Sequence, residues 1–214
     1  MTVLVCELSA DYSAFQLLLA RNVVAVLVLL PPVLSSGVQS LKTGRLGLHC
    51  LRACFACIGV LGLFFGVSRL PLPDVTAVSF TQPLFVVILA ALVLRETVGL
   101  ARWRAVFLGM IGLLVIVRPG FMDIGIATGA VLVSAVSYAC ANICVKRLMT
   151  TDTPRQAVLY FNLLMLPLSL IPALYFWVTP SVGDLVLMVG IGLCGVLSVY
   201  SMARALSLAE ASAV

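Results

Sequence analysis

The chain has 214 residues, of which 63% are hydrophobic and only 10% are charged. A soluble globular domain carries about 25% charged residues, so too few polar side chains are present here to cover a water-facing surface. The net charge of +5 does not indicate a nucleic-acid partner, because no basic patch alternates with aromatic residues on a polar scaffold. Composition therefore excludes a soluble domain and predicts a chain surrounded by membrane lipid.

Apolar runs long enough to cross a bilayer follow one another along the chain. A spanning helix needs about 20 mostly apolar residues, and seven such runs are present, preceded by residues 1–8, which have the character of the end of an earlier span. The connections between them are short and contain turn-forming residues. The sequence predicts an all-α, polytopic transmembrane helix bundle with spans at residues 13–36, 46–68, 73–94, 101–117, 124–145, 157–178 and 185–206.

Lysine and arginine are concentrated in alternate connections. If the connection after the first of these runs is cytoplasmic, ten of the 13 basic residues lie inside, Arg69 and Arg118 lie outside, and Arg21 lies within a helix. Cytoplasmic loops are enriched in these residues, so we predict this orientation, in the plasma membrane or a bacterial inner membrane. The inside residues are Lys42, Arg45, Arg52, Arg95, Arg102, Arg104, Lys146, Arg147, Arg155 and Arg204.

The chain also contains an internal repeat. Residues 70–78 match residues 206–214, and residues 20–22 align with residues 160–162 at a nearly equal offset. The connection before the first span is acidic, whereas its counterpart before the 157–178 span is basic. This opposite bias predicts two halves, residues 1–120 and 121–214, inserted upside down relative to one another. Many secondary transporters alternate access with inverted repeats of this kind.

Residues 70–120 carry a resemblance to a known family. They are similar to the EamA-type repeat of the drug/metabolite transporter superfamily, and Arg21 matches an arginine that recurs there. The resemblance implies ten helices in two inverted five-helix halves around a central solute path. Against that pattern the first helix is mostly missing and so are the last two, so we expect a piece of a longer transporter. The matching segments are Leu70-Pro-Leu-Pro-Asp-Val-Thr-Ala-Val-Ser-Phe-Thr-Gln-Pro-Leu-Phe85, Leu94-Arg95-Glu96, Arg102-Trp103, Gly109, Gly112 and Val117-Arg118-Pro119-Gly120.

Arg21 is the sharpest candidate for a solute-binding residue, with Asn22 beside it. It lies about eight residues into its span, or roughly 12 Å at 1.5 Å per residue. A charge at such a depth costs at least ~2.5 kcal/mol by insertion scales, so it must face the bundle or a wet cavity. An anionic group of a solute is one partner for it. A structural arginine bonded to helix carbonyls, or one that extends to the interface, is the alternative.

The span at residues 73–94 contains a proline with polar neighbours. Pro83 removes one helix hydrogen bond and is expected to kink the helix, which frees a carbonyl near Ser79. Such a carbonyl is tolerated at membrane depth where neighbours or cavity water satisfy it. With Thr76 and Gln82 nearby, the segment is a candidate lining of the solute path. A kink that serves packing alone is the alternative.

Four further polar side chains lie inside predicted spans: Tyr138, Asn142, Asn162 and Tyr200. Each is a candidate contact for a solute. Hydrogen bonds between helices, worth about 0.6 kcal/mol each, are the use that we favour for them.

Other motifs indicate packing rather than chemistry. The Gly62-xxx-Gly66 and Gly125-xxx-Gly129 pairs allow close helix approach, within the bundle or, as the less favoured use, in a homodimer. The single histidine, His49, has no expected serine or aspartate partner, and its neighbouring cysteines are expected to pack as small apolar residues rather than bind a metal. No cofactor is expected, because no phosphate-binding glycine-rich motif occurs.

The sequence thus predicts a secondary transporter, not an enzyme, that moves a small polar or amphipathic metabolite across the membrane by alternating access. Its expected partners are that small-molecule solute and membrane lipid. Two alternatives stay open: a membrane-embedded enzyme that modifies lipid, and a membrane assembly subunit that transports nothing.

Overall fold

The computed structural model describes residues 8, 12–35, 43–95, 99–117 and 125–208. Every regular element within these residues is an α-helix, which confirms the predicted all-α class. The expectations for Lys42, Glu96, Arg118 and residues 209–214 fall outside the described residues. The helices are α1 (Ala14–Ser35), α2 (Leu46–Val67), α3 (Leu72–Ser79), α4 (Gln82–Val93), α5 (Leu100–Val117), α6 (Ile126–Leu148), α7 (Pro154–Tyr175) and α8 (Val182–Leu208).

The predicted spans coincide with these helices to within a few residues. Among the described residues, five helical segments are long and apolar enough to cross a membrane: α2, the Leu72–Val93 segment that contains α3 and α4, α6, α7 and α8. Shorter apolar stretches, Phe15–Pro31 and Trp103–Gly112, lie in α1 and α5. Helix α7 is displaced as a whole: it begins and ends three residues before its predicted bounds.

A capping box explains the start of α7. The Thr153 hydroxyl accepts a hydrogen bond from the Gln156 backbone N–H at 3.3 Å, and the Gln156 side chain accepts one from the Thr153 N–H at 2.7 Å. Pro154 occupies the first helical position, where its missing N–H costs nothing and its fixed φ suits the helix. The helix therefore starts where its local sequence satisfies the free N–H groups.

The span near Pro83 is interrupted. Helix α3 ends at Ser79, Phe80 and Thr81 form a turn, and α4 starts at Gln82 with Pro83 in its first turn. Proline is suited to a first turn because the N–H that it lacks has no partner there in any case. The expected kink is thus present as a break between two helices.

The residues group into two compact units. The first unit comprises Met1–Cys50 and Leu148–Ser207, and the second comprises Leu51–Arg147 and Leu208–Val214. The grouping follows spatial contacts, whereas the division at residue 120 follows sequence similarity. The inverted halves therefore stay a prediction.

In the first unit, α1 packs along α7 and also contacts α8. Gly192 and Gly195 of α8 make the second contact possible: a Cβ on Gly192 would lie 2.5 Å from Val24 Cβ, and one on Gly195 would lie 2.9 Å from Arg21 Cδ. An apolar cluster continues this contact and contains Leu8, Tyr12, Leu17, Met188 and Ile191.

In the second unit, glycines of α2 pack against α6. A Cβ on Gly62 would lie 2.6 Å from the Ala130 carbonyl oxygen, and one on Gly66 would overlap Val131 Cγ2. Val131 also joins Val75 and Val78 of α3 in a buried cluster. The expected close approach at Gly62 and Gly66 is confirmed. A Cβ on Gly125 or Gly129 would meet no atom within 4 Å in the described part of the chain.

Candidate functional site

Arg21 lies on the face of α1 that meets α8. Its side chain is half-buried, and its aliphatic stem lies against Gly195 because that glycine has no side chain to displace it. Its Nη2 donates to the Asn22 side-chain oxygen at 3.4 Å, a long hydrogen bond. The glycine thus makes room for a cation in the middle of an apolar helix pair.

Asn22 connects α1 to α7. It is fully buried, and its Nδ2 lies 3.4 Å from the Ser169 hydroxyl oxygen. Ser169 in turn donates to backbone carbonyls of its own helix, with Met165 O at 2.9 Å. The Asn22 amide therefore has protein partners for both its oxygen and its nitrogen.

Asn162 is buried in α7 but bonds within its own helix. Its Nδ2 donates to the Val158 carbonyl oxygen at 2.7 Å. The structure thus places Asn22 and Asn162 in one unit, each with a hydrogen-bond partner in the protein.

Gln16 is a buried polar residue that the sequence analysis missed. It is 2% exposed, its Nε2 donates to the Val178 carbonyl oxygen at 2.6 Å, and its Oε1 accepts from the Val178 N–H at 3.1 Å. The two bonds hold the α7–α8 connection against α1. A single glutamine near the start of an apolar run does not indicate that its side chain bonds the Val178 backbone.

A groove of about 230 Å³ lies in the first unit beside Gln16. Its walls come from α1, from α8 and from the α7–α8 connection. Trp177 supplies the largest aromatic surface, and Gln16, whose amide is engaged by Val178, is the polar wall residue. The lining residues are Gln16, Leu19, Ala20, Val23, Val24, Trp177, Pro180, Leu185, Met188 and Val189.

A carboxylate lies near the same end of the first unit. Asp184 accepts hydrogen bonds from the Tyr12 hydroxyl at 2.7 Å and from the Ser181 hydroxyl at 2.6 Å. Asp184 is in the first turn of α8, where the helix dipole favours an anion. This cluster fixes the start of α8.

The second unit contains the hydroxyl candidates of α3. The Thr76 and Ser79 hydroxyls donate to carbonyls of their own helix, Leu72 O and Val75 O, each at 2.7 Å. Gln82 is half-buried and Pro83 is exposed at the start of α4. Gln82 thus lies at the break in the span, and its side chain has no hydrogen bond among the described residues.

The remaining candidates differ in their surroundings. In the second unit the Tyr138 ring covers Gly59, where a Cβ would lie 3.1 Å from three ring carbons. Asn142 in that unit and Tyr200 in the first unit are half-buried. Neither side chain has a hydrogen bond within the described part of the chain.

His49 has the aspartate partner that the sequence analysis did not expect. His49 Nε2 lies 2.7 Å from Asp152 Oδ2, and their side chains are 0% and 6% exposed. The two residues are far apart in sequence, so their spacing gave no signal of the pair. Among the residues that the structure describes, no group of three or more potential metal ligands occurs.

Arg52 requires a second correction. It was counted with the inside loops, but it lies in the second turn of α2 and is 5% exposed. Without it, nine basic residues are still assigned to the inside connections or to the helix ends beside them, against two outside. The buried cation went unnoticed because it lies close to the predicted start of its span.

Comparison with known proteins identifies the family. A model of the EamA-like transporter family matches residues 1–118. The chain belongs to this family. It is 36% identical to a riboflavin transporter of Vibrio cholerae, over 92% of this chain and 67% of the relative. It is 30% identical to an S-adenosylmethionine uptake transporter of Rickettsia prowazekii, over 94% of this chain and 68% of the relative.

A solved crystal structure has the same fold. It aligns with a TM-score of 0.78 at 18% sequence identity and covers 96% of this chain and 74% of its own. Family membership and the apolar helices make this EamA-like protein a multi-pass bacterial inner-membrane permease for small metabolites, not an enzyme. The transporter prediction is thereby confirmed in class, and the lipid-modifying enzyme and assembly subunit are not favoured.

Proposed function

We propose that this EamA-like permease is a secondary transporter that takes up a small metabolite by alternating access between two inverted halves, residues 1–120 and 121–214. Family membership supports the class of function. The sequence repeat and the opposite charge of equivalent connections support the inverted halves. Rocking of such halves around a central site is how many secondary transporters expose a solute to each side in turn.

The placement of Arg21 is the observation that carries this proposal. Arg21 lies in an apolar helix, with its aliphatic stem against a glycine of α8 and its guanidinium beside the buried Asn22. An ionisable group at such a depth is rare because it is costly, and it commonly marks a solute pathway. A planar guanidinium donates several hydrogen bonds in a fixed fork, so it recognises carboxylate, phosphate or carbonyl oxygens.

The solute that we propose is a nitrogen heteroaromatic compound with a polar tail. Riboflavin and S-adenosylmethionine, after which the two relatives are named, both fit this description. Arg21 would bind acceptor oxygens of the solute. The side chains of Gln82, Asn142 and Tyr200 have no hydrogen bond among the described residues, whereas the amides of Asn22 and Asn162 are already hydrogen-bonded. We therefore favour the first three as further solute contacts.

Uptake of radiolabelled riboflavin into proteoliposomes tests the proposal. We expect saturable uptake that excess unlabelled riboflavin suppresses, and empty liposomes are the control. Tests with S-adenosylmethionine, as a competitor and as a labelled solute, then show which of the two compounds the protein transports. Saturable uptake of neither compound would contradict the proposed solute class.

We further propose that the protein contacts membrane lipid. A homodimer is the less favoured proposal for its glycine pairs. Large apolar side chains that are exposed on α8, such as Val186 and Leu197, are suited to acyl chains. The open faces of Gly125 and Gly129 would allow a second copy to approach. Crosslinking of cysteines placed at these glycines, in membranes, tests the dimer.

A further inference from the structure

The His49–Asp152 pair lies in the first unit and is not among the residues assigned to solute binding. His49 is in the first turn of α2, and Asp152 is in the connection between α6 and α7. The distance between Nε2 and Oδ2 is 2.7 Å, which is that of a charge-assisted hydrogen bond. Two segments more than one hundred residues apart in sequence are thus joined by a histidine and a carboxylate.

The surroundings hold the pair in a fixed geometry. The Thr43 hydroxyl donates to the same Asp152 oxygen at 2.8 Å, and the Tyr160 ring of α7 lies 4.7 Å from the imidazole centroid. Arg45 donates to the Thr150 hydroxyl at 3.4 Å and so adds a second link between the same two segments. Residues 43–49 and 150–160 therefore form a polar junction that we call the inner junction.

We propose that the His49–Asp152 pair is a proton-binding site that controls opening of the permease at the inner junction. Its ligand is a proton from the adjacent aqueous phase, which binds the imidazole and converts the pair to an imidazolium–carboxylate ion pair. Histidine is the side chain whose ordinary titration lies between about pH 5 and 8. The effect on uptake rests on the proposed transport function, whereas proton binding by the pair does not.

Protonation strengthens the junction. In the neutral state the imidazole N–H donates to a carboxylate, and in the protonated state a full positive charge faces the same oxygen in a water-poor site. Burial of the imidazolium and the dipole at the N-terminus of α2 both oppose that charge, and the proposal requires the Asp152 carboxylate to outweigh them. Other charged or titratable groups close to the pair in space or in sequence include Arg45 before α2, Tyr160 and Arg155 on α7, and Cys50 and Arg52 on α2.

A junction that holds more firmly when protonated opens more slowly. We therefore expect uptake to slow as the pH on the inside falls, by about fivefold between pH 8 and 5.5, the size of effect that a strengthened charge-assisted hydrogen bond can produce. The charge distribution predicts that the inner junction faces the cytoplasm. Acidification of the outer side alone should not slow uptake.

The chain has one histidine, which permits a direct test. In protein labelled with ¹⁵N-histidine and reconstituted in membranes, solid-state NMR of the ring nitrogens reports His49 alone. We expect its two nitrogens to convert from the neutral to the imidazolium pattern between pH 8.5 and 5, and Asp152→Asn to change the midpoint. A neutral pattern throughout would overturn proton binding, whatever solute the protein carries.

Uptake with the pH of each side set separately tests the control of opening. His49→Gln keeps an amide that can donate to Asp152 but cannot take up a proton, so its uptake should vary less than about 1.5-fold with inside pH. Asp152→Asn should also lose the dependence. Asp74→Asn, a matched change in the second unit, should keep it. Retention of the parent profile by folded His49→Gln protein, or a response to outer pH only, would overturn the control that we propose.

Discussion

Buried amides of the first unit each have a specific protein partner. Gln16 bonds both backbone groups of Val178, Asn22 bonds Ser169, and Asn162 bonds a carbonyl of its own helix. A buried polar group left without a partner costs about 1–3 kcal/mol. Gln16 and Asn22 therefore fix the position of α1 against its neighbours, whereas the Asn162 bond stays within α7.

Gln16→Leu should destabilise the protein. The leucine is similar in size but leaves the Val178 N–H and carbonyl without their side-chain partner, so we expect a loss of about 2 kcal/mol in the free energy of unfolding. Gln16→Glu keeps an acceptor for the N–H but places a second oxygen against the Val178 carbonyl in a buried site, so it should lose at least as much. Thermal unfolding in detergent compares the parent protein with the two variants. Equal melting temperatures for all three proteins would contradict the prediction.

Arg21→Ala should abolish uptake while membrane insertion survives, because removal of a charge from an apolar helix eases insertion. Arg21→Lys should restore only part of the activity, because an ammonium group lacks the planar fork. Arg204→Ala, which removes an exposed arginine of α8, is the matched control and should transport normally. Initial uptake rates, normalised to the amount of protein in the membrane, provide the measurement, and normal uptake by the alanine variant would make Arg21 structural.

At the scale of elements, glycine spacing and glycine packing are separate properties. Gly62 and Gly66 have the same spacing as Gly125 and Gly129, and the sequence predicted close approach for both pairs. Only the first pair has a neighbouring helix in the described residues, where Ala130 and Val131 fill the space. The spacing specifies a face of small residues, but tertiary packing determines whether another helix covers it.

Gly62→Ala should separate α2 from α6. The new Cβ would lie 2.6 Å from a backbone carbonyl oxygen, which cannot move without its helix, so we expect a loss of about 1–3 kcal/mol. Gly129→Ala meets open space and replaces a residue that weakens helices, so it should be neutral or stabilising by up to about 1 kcal/mol. Chemical unfolding in detergent compares the two, and an equal effect at both sites would contradict the α2–α6 contact.

At the scale of the whole molecule, lipid determines which features could be predicted. The length of the hydrocarbon layer requires helices of about 20 residues, so the spans were visible in the sequence. Helix partners were not, because lipid-facing and partner-facing side chains are both apolar. Leu163 and Met165 of α7 are similar residues, yet the first is 48% exposed and the second 2%. The His49–Asp152 and Gln16–Val178 contacts depend on that unpredicted pairing.

Membrane orientation is the last property that the sequence predicts, and cysteine labelling can test it. In a variant without native cysteines, Ser68→Cys and Thr179→Cys should react with an impermeant maleimide added outside intact cells. Gly44→Cys and Gly99→Cys should react only after the membrane is opened. All four positions are exposed in the structure, so differences in labelling report the side of the membrane. The predicted orientation follows from the cost of moving basic loops across the bilayer during insertion. Nine of the inside residues support this orientation even without Arg52. The reverse pattern would contradict the orientation, and a mixed pattern would contradict the alternation of spans on which the inverted halves depend.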